Sequence, residues 1–495
     1  MKNKFLLFGL LLAFVACTDL TDLNIDKKNP TAVPGETLFT SAQKNLVDQM
    51  VSTNVNYNIF RLFVQHWTEA TYVDEANYDI TTRAISQQHW DELYRRTLAN
   101  FKESTRLITL AEVPDALLPE KTNKLAILEI MQVYTWAVLV ETFGNIPYSE
   151  ALDIDNLLPV YDDGLTVYKD LIARLNTAIG NLDPGAGSFD PASDNMYKGD
   201  VAGWMYFANS LKLRMGINLA DVASESALAK ETIESAAGGV IDDNEDNGAL
   251  HYLDASPNTN PLWVDLVASG RLDFIGANTL VDKMNELNDP RLQFFFQHNI
   301  DEDNDPTVSG YVGAPYGIPT NFSQASNVSK GDFPGDFALL DPTFPGTLIS
   351  LASTEFLLAE AVARGYSVGG TVEEHYNAAI TASILEWGGD QAMADAYLAQ
   401  PSVAYGTAEG DWKQKIGTQA WIGLYNMGFE GWSTWRRLDF PVLVAPPDAE
   451  TDIPVRMTYP VPEQTLNGAN WQAAVEAISG GPDDLVTTRL FFDVQ

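Results

Sequence analysis

Apolar residues recur along most of this chain at intervals of three and four, the spacing that places them on one face of an α-helix. In the clearest example, Leu125, Leu128, Met131 and Val138 share a face, and Gly144 ends the pattern. Other segments show the same periodicity. Helices are predicted over 37–53, 86–110, 123–143, 165–182, 200–220, 227–237, 278–287, 353–363, 372–387, 391–398 and 408–425.

These helices follow one another in pairs joined by turns, as in tetratricopeptide-like repeats, although no strict residue period is visible. Between about 238 and 348 the pattern changes, because Gly, Pro, Asn and Asp become frequent and helical periodicity is kept mainly over 278–287. Long irregular segments in compact domains are commonly functional. We therefore predict a mainly α fold, a tetratricopeptide-like helical-pair scaffold with a long loop-rich ligand-binding insert at about 238–348.

Residues 1–16 have the layout of a bacterial secretory signal, with Lys2 and Lys4 before an apolar stretch that ends at Ala16. Cys17 follows directly and is the single cysteine of the chain. A cysteine in this place is the lipid-carrying residue of bacterial lipoproteins, and an exported protein without a second cysteine has no disulfide to form. We predict lipidation at Cys17, a lipidated tether over 17–36 and a single domain over 37–495. Ordinary secretion is the alternative.

The chain carries 67 acidic and 30 basic residues, and its formal charge is −37. Removal of Lys2 and Lys4 with the signal makes the charge of the mature chain −39. Such a surface repels nucleic acid and anionic lipid headgroups, so no nucleic-acid partner is expected. A highly anionic ligand would need a local basic pocket, and a neutral ligand is therefore predicted.

Sequence motifs for catalysis are missing. None of the five histidines has HExxH spacing, and the chain has no GxSxG elbow, phosphate-binding loop or dinucleotide fingerprint. Carboxylates are too numerous to be informative, and a glycoside hydrolase needs only two of them. An all-α glycoside hydrolase therefore stays open as an alternative, and so does a structural surface protein without a ligand.

One acidic loop has a weak resemblance to a calcium-binding loop. Asp243, Glu245, Asn247, Gly248 and Asp254 fall at positions 1, 3, 5, 6 and 12 of an EF-hand-like loop. The match is weak because position 3 is Glu and position 12 is Asp. A second acidic run alternates over 301–305. For both, a solvated acidic loop is the simpler interpretation, and structural calcium is the one cofactor that stays open.

A series of motifs runs through the chain in a characteristic order. They are NIDKKNPT (24–31), QHWTEATYVDEANYD (65–79), ETFGNIPYSEAL (141–152), YKGDVAGWMYFANSLKLRMG (197–216), NDPRL (288–292), STEFLLAEAVARG (353–365), EGWSTWRRLDFP (430–441) and YPVPEQTLN (459–467). In their number and order, the chain resembles the SusD/RagB family of outer-membrane nutrient-binding lipoproteins of Bacteroidetes. The resemblance is to the SusD-like branch described as starch-binding.

This resemblance implies a function. Members of the family are surface-exposed, lipid-anchored proteins of the cell outer membrane that act in polysaccharide utilization. They cover a partner TonB-dependent (SusC-like) transporter, to which they deliver a captured oligosaccharide or polysaccharide. Some relatives take peptides, so a peptide ligand stays open. The family implies no enzymatic activity and no catalytic residues.

Carbohydrate binding needs flat aromatic faces for sugar CH groups and amide or charged groups for hydroxyls. The helical pairs need their aromatic residues for packing, and Trp432, Arg214 and Glu360 are expected to pack and pair within the scaffold. We therefore predict ligand contacts in 67–78 and in the insert, with core packing as the alternative for each residue. The candidates are Trp67, Tyr72, Tyr78, Trp263, Tyr311, Tyr316, Asn321 and Phe322.

Overall fold

Helices form most of the molecule. The computed structural model describes residues 33–271, 273–298, 310–328 and 339–494. Cys17 and the acidic run 301–305 lie outside these ranges. The helices are α1 (Gly35–Val51), α2 (Phe60–Phe63), α3 (Ile85–Asp91), α4 (Ala99–Leu110), α5 (Leu118–Phe143), α6 (Gly164–Asn181), α7 (Val201–Asn218), α8 (Ser226–Ala236), α9 (Pro261–Trp263), α10 (Asn278–Glu286), α11 (Leu292–Phe295), α12 (Leu351–Ala363), α13 (Val372–Glu386), α14 (Gln391–Leu398), α15 (Trp412–Gly423), α16 (Gly428–Leu438), α17 (Glu463–Leu466) and α18 (Gly468–Ser479).

The long helices pack as successive pairs. Helix α5 packs against α6, α7 against α8, α12 against α13, and α15 against α16, while α1 packs against α4. A π-helical segment, Glu92–Leu98, joins α3 to α4. The predicted mainly α, tetratricopeptide-like fold is confirmed.

Aspartate side chains fix where several helices begin. Asp163, Asp200, Asp390 and Asp411 each precede a helix and accept a hydrogen bond from a backbone N–H of its first turn. Asp411 makes α15 start at Trp412, four residues later than predicted from periodicity. Helix α5 instead begins earlier than predicted, at Leu118, with a proline in its first turn.

Helix α5 lies at the centre of the core. The segment Asp115–Phe143 is long and apolar enough to cross a membrane. However, 83% of its most apolar 18-residue stretch is buried inside the protein. Its apolar residues are covered by α4, α6 and α7. The helix is therefore a core helix, as its short uncharged run indicated.

The described part of the chain contains three small antiparallel sheets, two of which involve the insert. The strands are β1 (Trp67–Glu69), β2 (Ile146–Pro147), β3 (Tyr161–Asp162), β4 (Gly248–Leu250), β5 (Phe274–Gly276) and β6 (Gly346–Ile349). Strand β1 pairs with β5, β2 with β3, and β4 with β6. The β4–β6 pair joins the two ends of the insert beside α1, and β5 carries its middle to the 67–78 segment.

Buried ion pairs join the helical pairs to one another. Arg214 of α7 forms an ion pair with Glu141 of α5 and lies 3.1 Å from Glu430 of α16. The second carboxylate oxygen of Glu141 accepts a hydrogen bond from the hydroxyl of Tyr168 in α6, at 2.9 Å. The consecutive helices α5, α6 and α7 therefore meet the distant α16 around one buried carboxylate.

A second set of buried ion pairs lies beside the first. The guanidinium of Arg437 donates two hydrogen bonds of 2.9 Å to Glu360, one to each carboxylate oxygen, and a third to Asn218. Arg364 also contacts Glu360 and reaches Asp221 at 2.6 Å. Burial alone would raise the pKa of Glu360, but the charges of Arg437 and Arg364 lower it below its usual value.

One asparagine joins the start of the insert to α12 and α13. The side-chain oxygen of Asn247 accepts a 2.7 Å hydrogen bond from the N–H of Leu351, at the first residue of α12. Its amide nitrogen donates to Glu386, the last residue of α13, at 3.2 Å. Burial raises the pKa of Glu386 to about 7.

We expect Glu360→Gln to destabilise the fold by about 3–5 kcal/mol, because it leaves the buried guanidinium of Arg437 without a countercharge. Chemical denaturation measures the change. Glu103→Gln is the matched control, since Glu103 pairs with Arg106 on the exposed surface and its loss should change stability little. A Glu360→Gln protein as stable as wild type would contradict the structural role of this ion pair.

The raised pKa of Glu386 predicts a pH-dependent loss of stability. Its carboxyl binds a proton more tightly in the folded state than the ordinary value of 4.5 allows, so folding stability falls as pH rises from 4.5 to 7. Glu386→Gln removes this penalty. Its stability advantage over wild type should grow by about 2 kcal/mol between pH 5.5 and pH 8 in urea titrations. Glu112→Gln, at an exposed position, should show no such growth.

Candidate functional site

The two segments predicted to bind ligand lie together in the structure. Strand β1 pairs with β5, the carbonyl of Ala70 accepts a 2.9 Å hydrogen bond from the N–H of Thr320, and the hydroxyl oxygen of Thr68 accepts one of 3.0 Å from Gly317. We use the name loop platform for residues 67–78, β5 and residues 310–328. Two parts of the chain more than 200 residues apart therefore form one surface.

The loop platform has a small core of its own. Isolated bridges join Ile275 to Asn327 and Ala277 to Ala314, so β5 is paired along both edges. Ala70, Ile275, Ala314 and Ala325 are buried together, and Phe322 packs against them. The segment 310–328 is therefore ordered by packing and pairing, despite its lack of helical periodicity.

Three of the predicted aromatic residues support the platform from inside. Trp67, Tyr78 and Tyr316 are buried. The indole N–H of Trp67 donates to the hydroxyl of Tyr425 at 2.7 Å, and the hydroxyl of Tyr316 donates to the carbonyl of Leu62 at 2.6 Å. These rings face the protein interior, so the alternative of core packing describes them, and they offer no face to a ligand in this structure.

Three other predicted residues lie at the platform surface. Tyr72 is 69% exposed, Asn321 is exposed, and Phe322 is half-buried. Ala70 and Thr320 form a backbone hydrogen bond, and Tyr72 and Phe322 each follow one of these residues by two positions, so both lie on segments that leave the same junction. The side chain of Asn321 accepts from the N–H of Ser323 at 3.2 Å and keeps its NH₂ group for other partners.

Trp263 and Tyr311 are half-buried. Trp263 ends the short helix α9, whose start is fixed by a 2.7 Å hydrogen bond from the N–H of Leu262 to the side chain of Asn260. The ring of Tyr311 meets that of His298 edge-on, with centroids 5.1 Å apart. Tyr311 lies near the start of the platform segment 310–328, and Trp263 lies on α9, which precedes β5 in the sequence.

The loop that carries Tyr72 is held by residues that the sequence did not single out. A carboxylate oxygen of Glu69 accepts from the N–H of Ala76 at 2.9 Å, and Glu75 forms an ion pair with Arg83. Burial, together with the neighbouring Glu75, raises the pKa of Glu69 to about 9. Burial and the neighbouring carboxyl of Glu75 thus favour the protonated form of Glu69, which reduces charge repulsion within the loop.

Asn77 fastens the same loop to the rest of the platform. Its side-chain NH₂ donates to the carbonyls of Val73 and Gly317, each at 2.8 Å. Its own carbonyl accepts from the N–H of Glu450 at 3.0 Å. An asparagine two residues after a glutamate, in an irregular segment, carried no sequence signal for this role.

The acidic loop 243–254 has a structural role in this fold. Asp243 caps a short 3₁₀ turn through a 2.9 Å hydrogen bond from the N–H of Glu245, and both ends of the Asn247 amide are engaged by Leu351 and Glu386. The described residues contain no group of three or more acidic, histidine or cysteine side chains placed to hold a metal ion. We therefore propose no calcium site at Asp243, Glu245, Asn247 and Asp254.

Comparison with known proteins agrees with this architecture. A chitin-binding protein of known structure is 26% identical, with a TM-score of 0.78, over 93% of this chain and 99% of that chain. A SusD homologue from Bacteroides uniformis is 26% identical, with a TM-score of 0.75, over 92% of this chain and 99% of that one. A chitin-binding SusD homologue from Flavobacterium johnsoniae, 24% identical, has the same fold, with a TM-score of 0.73 over 93% and 98%.

No significant match is found among curated proteins. A family model described as starch-binding and associating with the outer membrane matches residues 27–460, which is most of the chain. The resemblance read from the sequence motifs is thereby confirmed. The chain belongs to the SusD-like family of carbohydrate-binding, outer-membrane-associated proteins.

Proposed function

We propose that this protein is a surface lipoprotein that captures an oligosaccharide or polysaccharide on the loop platform and delivers it to a partner TonB-dependent transporter. The observation that carries the proposal is the exposed ring of Tyr72, on a surface that two distant segments form and that also carries Asn321 and Phe322. Aromatic faces and an amide are the groups that recognise sugar rings and their hydroxyls. Trp263 and Tyr311 extend the proposed site.

A neutral glycan is the ligand that these groups suit best. Tyr72, Asn321 and Phe322 offer apolar faces and hydrogen bonds without a net positive charge, in a chain of formal charge −37. Two relatives of similar structure are described as chitin-binding, and chitin is an uncharged polysaccharide. An uncharged peptide is the second candidate, since it could use the same stacking faces.

We propose binding without catalysis. The carboxyl groups of the platform loop that are closest in sequence to Tyr72 are those of Glu69, Asp74 and Glu75. Glu69 and Glu75 are buried and hold the loop through Ala76 and Arg83. A glycosidase needs two carboxyl groups that flank the scissile bond. Glu69 and Glu75 instead support the loop from beneath the surface.

Membrane attachment completes the proposed role. We propose that Cys17 carries the lipid, with residues 17–36 as the tether, because a signal-like segment precedes this single cysteine. Two or more acyl chains give stable anchoring, whereas one chain gives marginal binding. The tether leads into α1 at Gly35, so the whole folded domain follows the anchor.

An exposed apolar patch suits the transporter as partner. Ile154 and Leu157 are 85% and 82% exposed, and Leu158 and Leu466 are also exposed. The side chain of Asn467 donates to the carbonyl of Pro159 at 2.8 Å, which holds loop 152–160 beside α17. We use the name apolar patch for Ile154, Leu157, Leu158, Val461 and Leu466. We propose that these side chains form one contiguous apolar surface, which is typical of protein interfaces.

We expect Tyr72→Ala and Phe322→Ala each to weaken binding of a neutral oligosaccharide about fivefold, since one aromatic contact contributes roughly 1 kcal/mol. Calorimetry against chito-oligosaccharides, malto-oligosaccharides and an uncharged peptide measures the effect and separates the ligand classes. Tyr206→Ala, a half-buried tyrosine of α7, is the control. Normal binding by both folded platform variants would place the site elsewhere, and shortened oligosaccharide after long incubation would favour a hydrolase.

We expect Ile154→Asp and Leu157→Asp to prevent co-purification with the proposed TonB-dependent transporter partner, because each charge would be buried at the interface. Co-expression followed by affinity capture measures the complex. Leu110→Asp, which changes a similarly exposed leucine of α4, should leave capture unchanged. Equal recovery of the transporter by all three variants would show that the apolar patch is not the docking surface.

A further inference from the structure

A basic cavity lies within this strongly acidic protein. It is open to solvent, has a volume of about 590 Å³ and is lined by residues of α1, of the turn 192–198 and of segment 250–258. Its lining includes the ammonium groups of Lys44 and Lys198 and the imidazole of His251, and no carboxylate is among the described residues that line it. In a chain with 67 acidic and 30 basic residues, a cavity lined by two lysines and a histidine without a carboxylate is the local basic pocket that an anionic ligand would require.

The turn that presents Lys198 is held rigidly. The buried carboxylate of Asp194 accepts hydrogen bonds from the side chain of Gln43 at 2.9 Å, from the N–H of Gly199 at 3.0 Å and from the indole of Trp204 at 2.8 Å. Lys198 itself has a left-handed backbone conformation, with φ of 56°. A non-glycine residue in this conformation is kept there by its surroundings, which here fix the backbone from which the exposed side chain of Lys198 extends.

The cations of this cavity are unequally compensated. Lys44 forms an ion pair with Asp48, which also accepts a 2.7 Å hydrogen bond from the hydroxyl of Tyr252. Lys198 forms no ion pair with any described residue. Burial, and then the positive charge of Lys198, lower the pKa of His251. Lys198 and His251 are therefore neighbours with no negative charge of the protein between them.

The rest of the lining suits a sugar. It includes the side chains of Ser41, Asn45, Asn195 and Asn258, which supply hydroxyl and amide groups. The aromatic residue of the cavity, Tyr252, is buried and its hydroxyl is engaged by Asp48, so no open stacking face is offered. A ligand in this cavity would therefore be bound by charge and hydrogen bonds rather than by stacking. This distinguishes it from the loop platform.

We propose that this cavity binds the carboxylate of a sugar acid, with Lys198 and His251 beside the anion and the amide and hydroxyl groups on the sugar ring. Its volume exceeds what a free inorganic anion fills. The site is separate from the loop platform, and its ligand class is opposite to the neutral ligand proposed there. A polysaccharide with both neutral and acidic units could be held at both places.

The test compares glucuronate with glucose, which has the same ring but no carboxylate, and with inorganic sulfate. We expect wild-type protein to bind glucuronate at least tenfold more tightly than glucose or sulfate in calorimetry. Binding should weaken with salt, because exposed charges are screened. In NMR titrations, saturating glucuronate should raise the pKa of His251, whose signal is assigned with His251→Gln.

Variants connect this binding to the cavity. Lys198→Gln should weaken glucuronate binding at least tenfold, whereas Lys198→Arg should keep it. Lys230→Gln removes an equal charge at an exposed site of α8 and should stay within twofold of wild type. Tyr72→Ala should bind glucuronate normally, which separates this site from the platform. Equal affinity for glucose and glucuronate, tighter binding of sulfate than of glucuronate, or unchanged binding by a folded Lys198→Gln protein would overturn the proposal.

Discussion

The buried carboxylates Glu141 and Glu360 are the interactions on which the architecture depends. Each would cost several kcal/mol in the core without a cation, and each receives one from a different helical pair: Arg214 for Glu141 and Arg437 for Glu360. Hydrophobic contacts alone would allow neighbouring pairs to slide, because apolar packing is not directional. The ion pairs permit only the arrangement in which each charge meets its partner. The turn that carries Lys198 and the strands beneath Tyr72 are positioned on this fixed scaffold.

The surface charge and the two proposed sites would affect ligand binding in different ways. A formal charge of −37 discourages anionic ligands from most of the surface. The loop platform offers rings and amides, while the basic cavity offers a local exception to the overall charge. With both proposed sites, a single chain would discriminate among glycans by the distribution of charge along them, in addition to the shape of each sugar.

Much of the fold could be predicted from the sequence. Whether each aromatic ring faces the core or the solvent could not. Helical periodicity identified the long helices because their apolar stripes are local. Helix α18 was missed because no side chain caps its start and prolines precede it. Trp67 and Tyr72 lie five residues apart in a segment without a period, and Trp67 is a core residue because distant residues such as Phe274 and Tyr425 contact its ring. The sequence pattern suggested Asn247 as a weak calcium-ligand candidate. Its partners in the structure, Leu351 and Glu386, are more than 100 residues away and could not be identified from the sequence.

The small core of the loop platform has a consequence for motion. Four residues, three of them alanines, bury little apolar surface compared with the main core, so this region should open locally at a lower free energy than the scaffold. A glycan that touches both 67–78 and 310–328 would join the two segments and close this opening. Recognition would then be read as slowed amide hydrogen exchange across the platform. The same separation lets these segments be exchanged for others, and a new specificity arise, while the helical scaffold stays intact.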